Sequence, residues 1–145
     1  MKTDAEKAIQ PILSYSFTVE KGKIKEFVQS IGDSLPIYYE EEEANKAGYK
    51  GIPIPPTFAT VVDFWGGLDF ETLMKALKLN PLKVLHGEQE YQYFAQIYAG
   101  DPLDVTAKVL KQIEKKNMRM FVIETEYARV GEKVLVARST IIETK

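Results

Sequence analysis

The chain has no cysteine, one histidine and one tryptophan in 145 residues. Without cysteine there is no disulfide framework and no thiolate chemistry, which fits a reducing compartment. With a single imidazole, any histidine chemistry must pass through His86. No apolar run approaches the roughly 18 residues of a membrane span. The N-terminal stretch MKTDAEKAIQPIL carries two acids and no apolar core, so it does not read as a signal peptide. Charge of one sign is also missing. The formal net charge of −2 leaves no basic footprint for nucleic acid, and the longest acidic run, Glu40 to Glu43, is too short for a tail. There is no repeat and no low-complexity segment. A cytoplasmic protein of one domain, residues 1–145, is the expectation, large enough to bury roughly 70% of its unfolded surface.

What is present divides into a helical, loop-rich first half and a strand-rich second half. Ile24, Phe27, Val28 and Ile31 fall on one helical face within Lys23 to Ile31, and Gly32 stops it. Glu40 to Ala47 reads as a short helix with acids in its first turn and Lys46 near its end. The prolines of GIPIPPTF, Gly51 to Phe58, force an extended path. Thr57 can then cap a helix through Ala59, Val61, Val62 and Trp65, interrupted at Gly66-Gly67; Asp69 can cap the next, ending at Asn80-Pro81. Phe64 and Trp65 read as core.

Four long β-branched and aromatic runs follow, Lys83 to Tyr98, Leu103 to Lys115, Met118 to Val130 and Lys133 to Glu143. In the third, Phe121, Ile123 and Tyr127 share one face, and Met120, Val122, Glu124 and Glu126 the other. Helices first and then a meander of three or four half-buried antiparallel strands predict an α+β fold with Thr57–Leu79 covering the sheet. By the period of two, His86 shares a face with Glu88 and Glu90, which puts an orienting carboxylate beside the ring.

Three stretches, IGDSLPIYYEEEEANKAGYKGIPIPPTF, LHGEQEYQYFAQIYAGDPL and VARSTIIE, resemble the MaoC-like dehydratases. They are most similar to that family's N-terminal, fatty-acid-synthase-like dehydratase domain. The resemblance implies a hot-dog fold, a curved antiparallel sheet wrapped around a central helix, that dimerises through its sheets. It implies reversible dehydration of a (3R)-hydroxyacyl thioester on coenzyme A or an acyl carrier protein, with no metal or redox cofactor.

The family's dyad is an Asp and, five residues later, a His. Asp33 matches the first, and Tyr38 stands at the second. A phenol of reference pKa about 10 is a poor base, though it still donates a hydrogen bond. At the helix start, where a backbone N–H would polarise the thioester carbonyl, a His-Gly pair is replaced by Pro56-Thr57, leaving Thr57 or Phe58 as donor. The dyad therefore reads as degenerate, and Tyr38, Pro56, Thr57 and Phe58 as substrate-binding residues.

The favoured reading is an acyl-thioester-binding subunit, or a weakly active form, of a (3R)-hydroxyacyl dehydratase. It would be a homodimer or larger, with any second, catalytic hot-dog unit on another polypeptide. Three alternatives stand: a self-sufficient hydratase using Asp33 and His86, a hot-dog thioesterase whose helix carboxylate would be Asp63, and an acyl carrier without chemistry. Asp33 also has a plain reading, as a turn residue, and His86 as a hydrogen-bonded strand histidine.

Overall fold

The computed structural model describes residues 10–145; most of the N-terminal stretch weighed as a signal peptide lies outside it. One five-stranded antiparallel sheet runs in the order β1-β3-β4-β5-β2. Its strands are β1 (Gln10–Thr18), β2 (Val84–Tyr93), β3 (Pro102–Lys115), β4 (Met118–Arg129) and β5 (Glu132–Thr144). Four helices precede β2: α1 (Lys21–Ser30), α2 (Glu41–Lys46), α3 (Ala59–Gly66) and α4 (Phe70–Leu77). Register shifts in the pairings of β1, β2, β3 and β4 mark bulges, which bend strands and strengthen twist, and the sheet curves around α3.

The expected strands β2 to β5 are present, and Phe121, Ile123 and Tyr127 are buried together on one face of β4. Two expectations need correction. Among the described residues the helices do not come first: β1 precedes them and pairs with β3 from Gln10↔Val109 to Thr18↔Pro102. Its signal was the alternation of Leu13, Tyr15 and Phe17 with Ser14, Ser16 and Thr18. Nor are Phe64 and Trp65 core. They are 55% and 72% exposed, because α3 turns Ala59 and Val62 into the core and leaves the next two aromatics outside it. Lys23 lies over the Trp65 ring at 4.8 Å.

Local chemistry explains the breaks. Gly32 adopts φ +72° after α1, a left-handed turn open to glycine without strain. Asp69 caps α4 as expected, its carboxylate accepting from the Thr72 amide at 2.8 Å. Thr57 does not cap α3; no side chain does. Between α3 and α4 the chain passes against Tyr15, and a Cβ on Gly66 would meet that ring at 2.2 Å.

Two buried clusters result. One joins α1, the Ile52–Phe58 segment and α3 to Leu103, Val105, Tyr127 and Leu135; the other sets Met74 and Leu79 against Phe121, Ile123 and Ile141. The break at Gly66 to Asp69 is where they fail to merge. Gly66→Ala should therefore cost about 1–3 kcal/mol by overpacking. Urea titration of Gly66→Ala in the wild-type and Tyr15→Ala backgrounds checks this: the alanine penalty should shrink sharply once the ring is gone.

Candidate functional site

A cavity of about 500 Å³ occupies the gap between the two clusters. Phe64, Leu68, Phe70, Leu73 and Met74 from the α3–α4 segment form its roof. Val84, Ile123, Ala137 and Ile141 pave the sheet beneath, with Thr125 of β4 among them, and further polar groups enter at two places.

The first is Asp63, on α3. Tyr15 from β1 and Tyr127 from β4 both donate to its Oδ1, at 2.9 and 2.5 Å. Thr60, one turn earlier, and Tyr91 from β2 hydrogen-bond each other at 3.1 Å. Burial pushes the Asp63 carboxyl from its ordinary 3.8 up to about 6, and the two phenol donors only partly oppose it. The phenols of Tyr15 and Tyr127 rise, through burial first and the neighbouring carboxylate second.

The second place is His86. Its Nε2 lies 3.0 Å from the Ser139 hydroxyl and 3.3 Å from Gln89 Oε1. The sequence placed it with Glu88 and Glu90, and that is wrong. The β2–β5 register shifts between His86 and Glu88, so Gly87 takes up an extra residue and the alternation reverses. Val84, His86, Gln89 and Tyr91 line the cavity, whereas Glu88 and Glu90 do not.

Asp33, Tyr38 and the helix-start residues form a separate group; none of them lines the cavity. The Asp33 carboxylate accepts from the Leu35 amide at 3.0 Å, the geometry of an Asx turn, and its carbonyl accepts from the Tyr39 hydroxyl. Tyr38, in a single 3-10 turn, is 7% exposed and packed in the larger core cluster. Burial first, and the Asp33 charge second, push its phenol pKa further up. Tyr93 donates to the Pro56 carbonyl at 2.6 Å and so holds the start of α3. The Phe58 amide bonds Pro55 O at 3.0 Å; the Thr57 amide has no partner among the described residues.

Tyr38 and Tyr93 are neighbours close enough to perturb one another. His86 lies seven residues from Tyr93 along β2, about 20 Å at the usual strand rise. Asp33 and His86 are thus not brought together within this chain.

Residues 10–137 match the family described as FAS1-like, dehydratase domain region. The chain belongs to that family. A relative, the UPF0336 protein of Saccharopolyspora erythraea, is 31% identical over 128 residues, 88% of this chain and 81% of its own. Among solved structures, the truncated HadBC complex of Mycobacterium tuberculosis, a (3R-hydroxyacyl-ACP dehydratase), superposes with TM-score 0.77 at 23% identity. It covers 98% of this chain and 99% of that one. The MaoC-like dehydratase from Rhodospirillum rubrum gives 0.70 at 18% identity over 97% and 93% of the two chains. The fold is the hot-dog fold of the MaoC-like dehydratases.

The tyrosines around Asp63 escaped the sequence reading. Asp63 stood out as the early acid of its helix, but its partners come from β1 and β4, far off in sequence. Its raised pKa has a measurable consequence. The fold favours the protonated form, so this contribution to stability is full below pH 3.8 and is lost as pH rises through about 6. At pH 7.5 the charged form costs up to about 3 kcal/mol. Asp63→Asn keeps an acceptor for both phenols. It should raise the melting temperature at pH 7.5 and leave it nearly unchanged at pH 4, as thermal denaturation at the two pH values would show.

Proposed function

We propose that this chain is an acyl-thioester-binding unit of the MaoC-like (3R)-hydroxyacyl dehydratase type, with a degenerate dyad and little or no dehydratase activity of its own. The observation that carries the reading is the apolar cavity beside α3, combined with a buried tyrosine at the position where a general base belongs.

Dehydration removes a proton from Cα and delivers one to the departing Cβ hydroxyl, which needs a base and an acid within reach of both. Asp33 spends a carboxylate oxygen on its own turn, and Tyr38 is a phenol made still harder to ionise by burial. Tyr38 therefore supplies no base near neutral pH, and no imidazole stands beside Asp33 to complete the pair. The binding half of the task is better provided for. The thioester carbonyl takes the free Thr57 amide at the start of α3, in the manner of an oxyanion donor, with Pro56 exposed beside it and Phe58 and Tyr38 packed in the core behind it. The acyl chain then runs beneath α3 into the cavity.

A second hot-dog unit supplies the dyad or, in a homodimer, doubles the binding surface. The edge strand β2 pairs only with β5, and Leu85 within it and Leu82 just before it are 59% and 92% exposed. An unpaired apolar edge of this kind is covered by association. By light scattering at micromolar concentration the purified chain should have the mass of a dimer or larger; a monomer contradicts this part of the reading.

One observation favours the hydrolase alternative: Asp63 does stand on the central helix and faces the cavity. A single set of assays separates the readings. Decanoyl-CoA should bind without release of free thiol, and crotonyl-CoA should be hydrated far below the roughly 10 per second of a typical enzyme. Ser139→Phe, which fills the cavity, should weaken decanoyl-CoA at least tenfold and butyryl-CoA little. Steady thiol release, or hydration at ordinary enzymatic rates, overturns the proposal.

A further inference from the structure

A carboxylate turned into apolar surroundings is costly unless something compensates it. Asp63 accepts both tyrosine hydroxyls on Oδ1, and Oδ2 accepts no hydrogen bond among the described residues. That oxygen is not sealed in protein either, since no buried side-chain oxygen or nitrogen among the described residues lacks a partner. It therefore looks into the cavity that Asp63 lines. No lysine or arginine lines that cavity; Thr60 and Tyr91 satisfy one another on the same wall, and the Thr125 hydroxyl, which also lines it, makes no hydrogen bond to Asp63.

Tethering α3 does not explain the charge. An amide oxygen would receive the same two phenols without the desolvation that the carboxylate suffers at neutral pH. What a carboxylate adds over an amide is a second acceptor oxygen, and here that oxygen is free beside a largely apolar cavity.

We propose that Asp63 is a specificity-determining residue whose free oxygen receives a hydroxyl group carried part-way along the bound acyl chain. It selects that chain over one bearing a carbonyl or a plain methylene at the same place. The inference deepens the acyl-binding reading and rests on it only for the thioester at the other end of the ligand. Asp63 follows Thr57 by six residues, about 9 Å along the helix. The hydroxyl in question is therefore well beyond the carbons on which dehydration acts. The His86–Ser139–Gln89 group lies further along β2 and contacts a later part of the chain.

The test uses two ligand sets and two proteins. The first set, 2-octanol and 2-octanone, probes the cavity without any thioester. Titration followed by NMR should show the wild-type protein binding the alcohol about tenfold or more tighter than the ketone, because only the alcohol donates. In Asp63→Asn the group facing the cavity becomes a donor, while Tyr15 and Tyr127 keep their acceptor, so the ketone should gain and the preference vanish or invert. The second set is decanoyl-CoA with its 9-hydroxy and 9-oxo forms. The hydroxy form should bind the wild-type protein tightest, with the same reversal in the variant.

Equal affinity of the wild-type protein for alcohol and ketone, or binding of neither, overturns the proposal. So does a preference that Asp63→Asn leaves unchanged, which would assign the discrimination to the His86 group. If no thioester binds but the alcohol preference and its reversal hold, the selectivity of Asp63 stands and the acyl-thioester reading fails.

Discussion

One carboxyl group holds the central helix in place. Asp63 ties α3 to β1 through Tyr15 and to β4 through Tyr127, two strands flanking β3 in the sheet. The tie sets the height of the helix over the sheet. Ala59 and Val62 reach the core on one side of it, and the chain then passes so close to Tyr15 that only glycine fits at 66. Beyond that point α4 starts afresh from its Asp69 cap, packed on a different cluster. The cavity is the space this arrangement leaves. A helix of the same length lying flat on β4 and β5 would fill it.

The proposed mouth and the cavity are connected by one row of side chains on β2. Tyr93 holds the Pro56 carbonyl at the start of α3, Tyr91 meets Thr60, His86 meets Gln89 and Ser139, and Val84 closes the far end. The bulge at Gly87 keeps that row continuous; without it His86 and Val84 would point to the other face. The same strand offers an unpaired edge to a partner. Under the proposed function, that row would meet a chain-like ligand at several points. At Asp33 and Tyr38, by contrast, the side chains are committed to the turn and the core.

Much of this was legible in the sequence because it is written in local signals. Four strands, the helix ended by Gly32, the Asp69 cap and the extended proline stretch each depend on neighbours a few positions away. The family pattern carried the hot-dog fold. What was hidden depends on long-range geometry. β1 is short, and its Leu13, Tyr15, Phe17 alternation matters only once β3 lies beside it. The bulge at Gly87 cannot be read from a period of two, so His86 was assigned the wrong neighbours. Trp65 fitted a helical apolar spacing, yet the face that α3 buries is fixed by Asp63 and its tyrosines. The carboxyl's partners lie 48 and 64 positions away.

The central claim is that an acyl chain lies between the α3–α4 segment and the sheet. Methyl-labelled protein titrated with decanoyl-CoA tests it directly. The account predicts ligand-dependent shifts, and contacts to the acyl chain, at the methyls of Met74, Ile123 and Ile141, with Ile31 on the outer surface unaffected. Saturable binding that leaves those three methyls unmoved would contradict it.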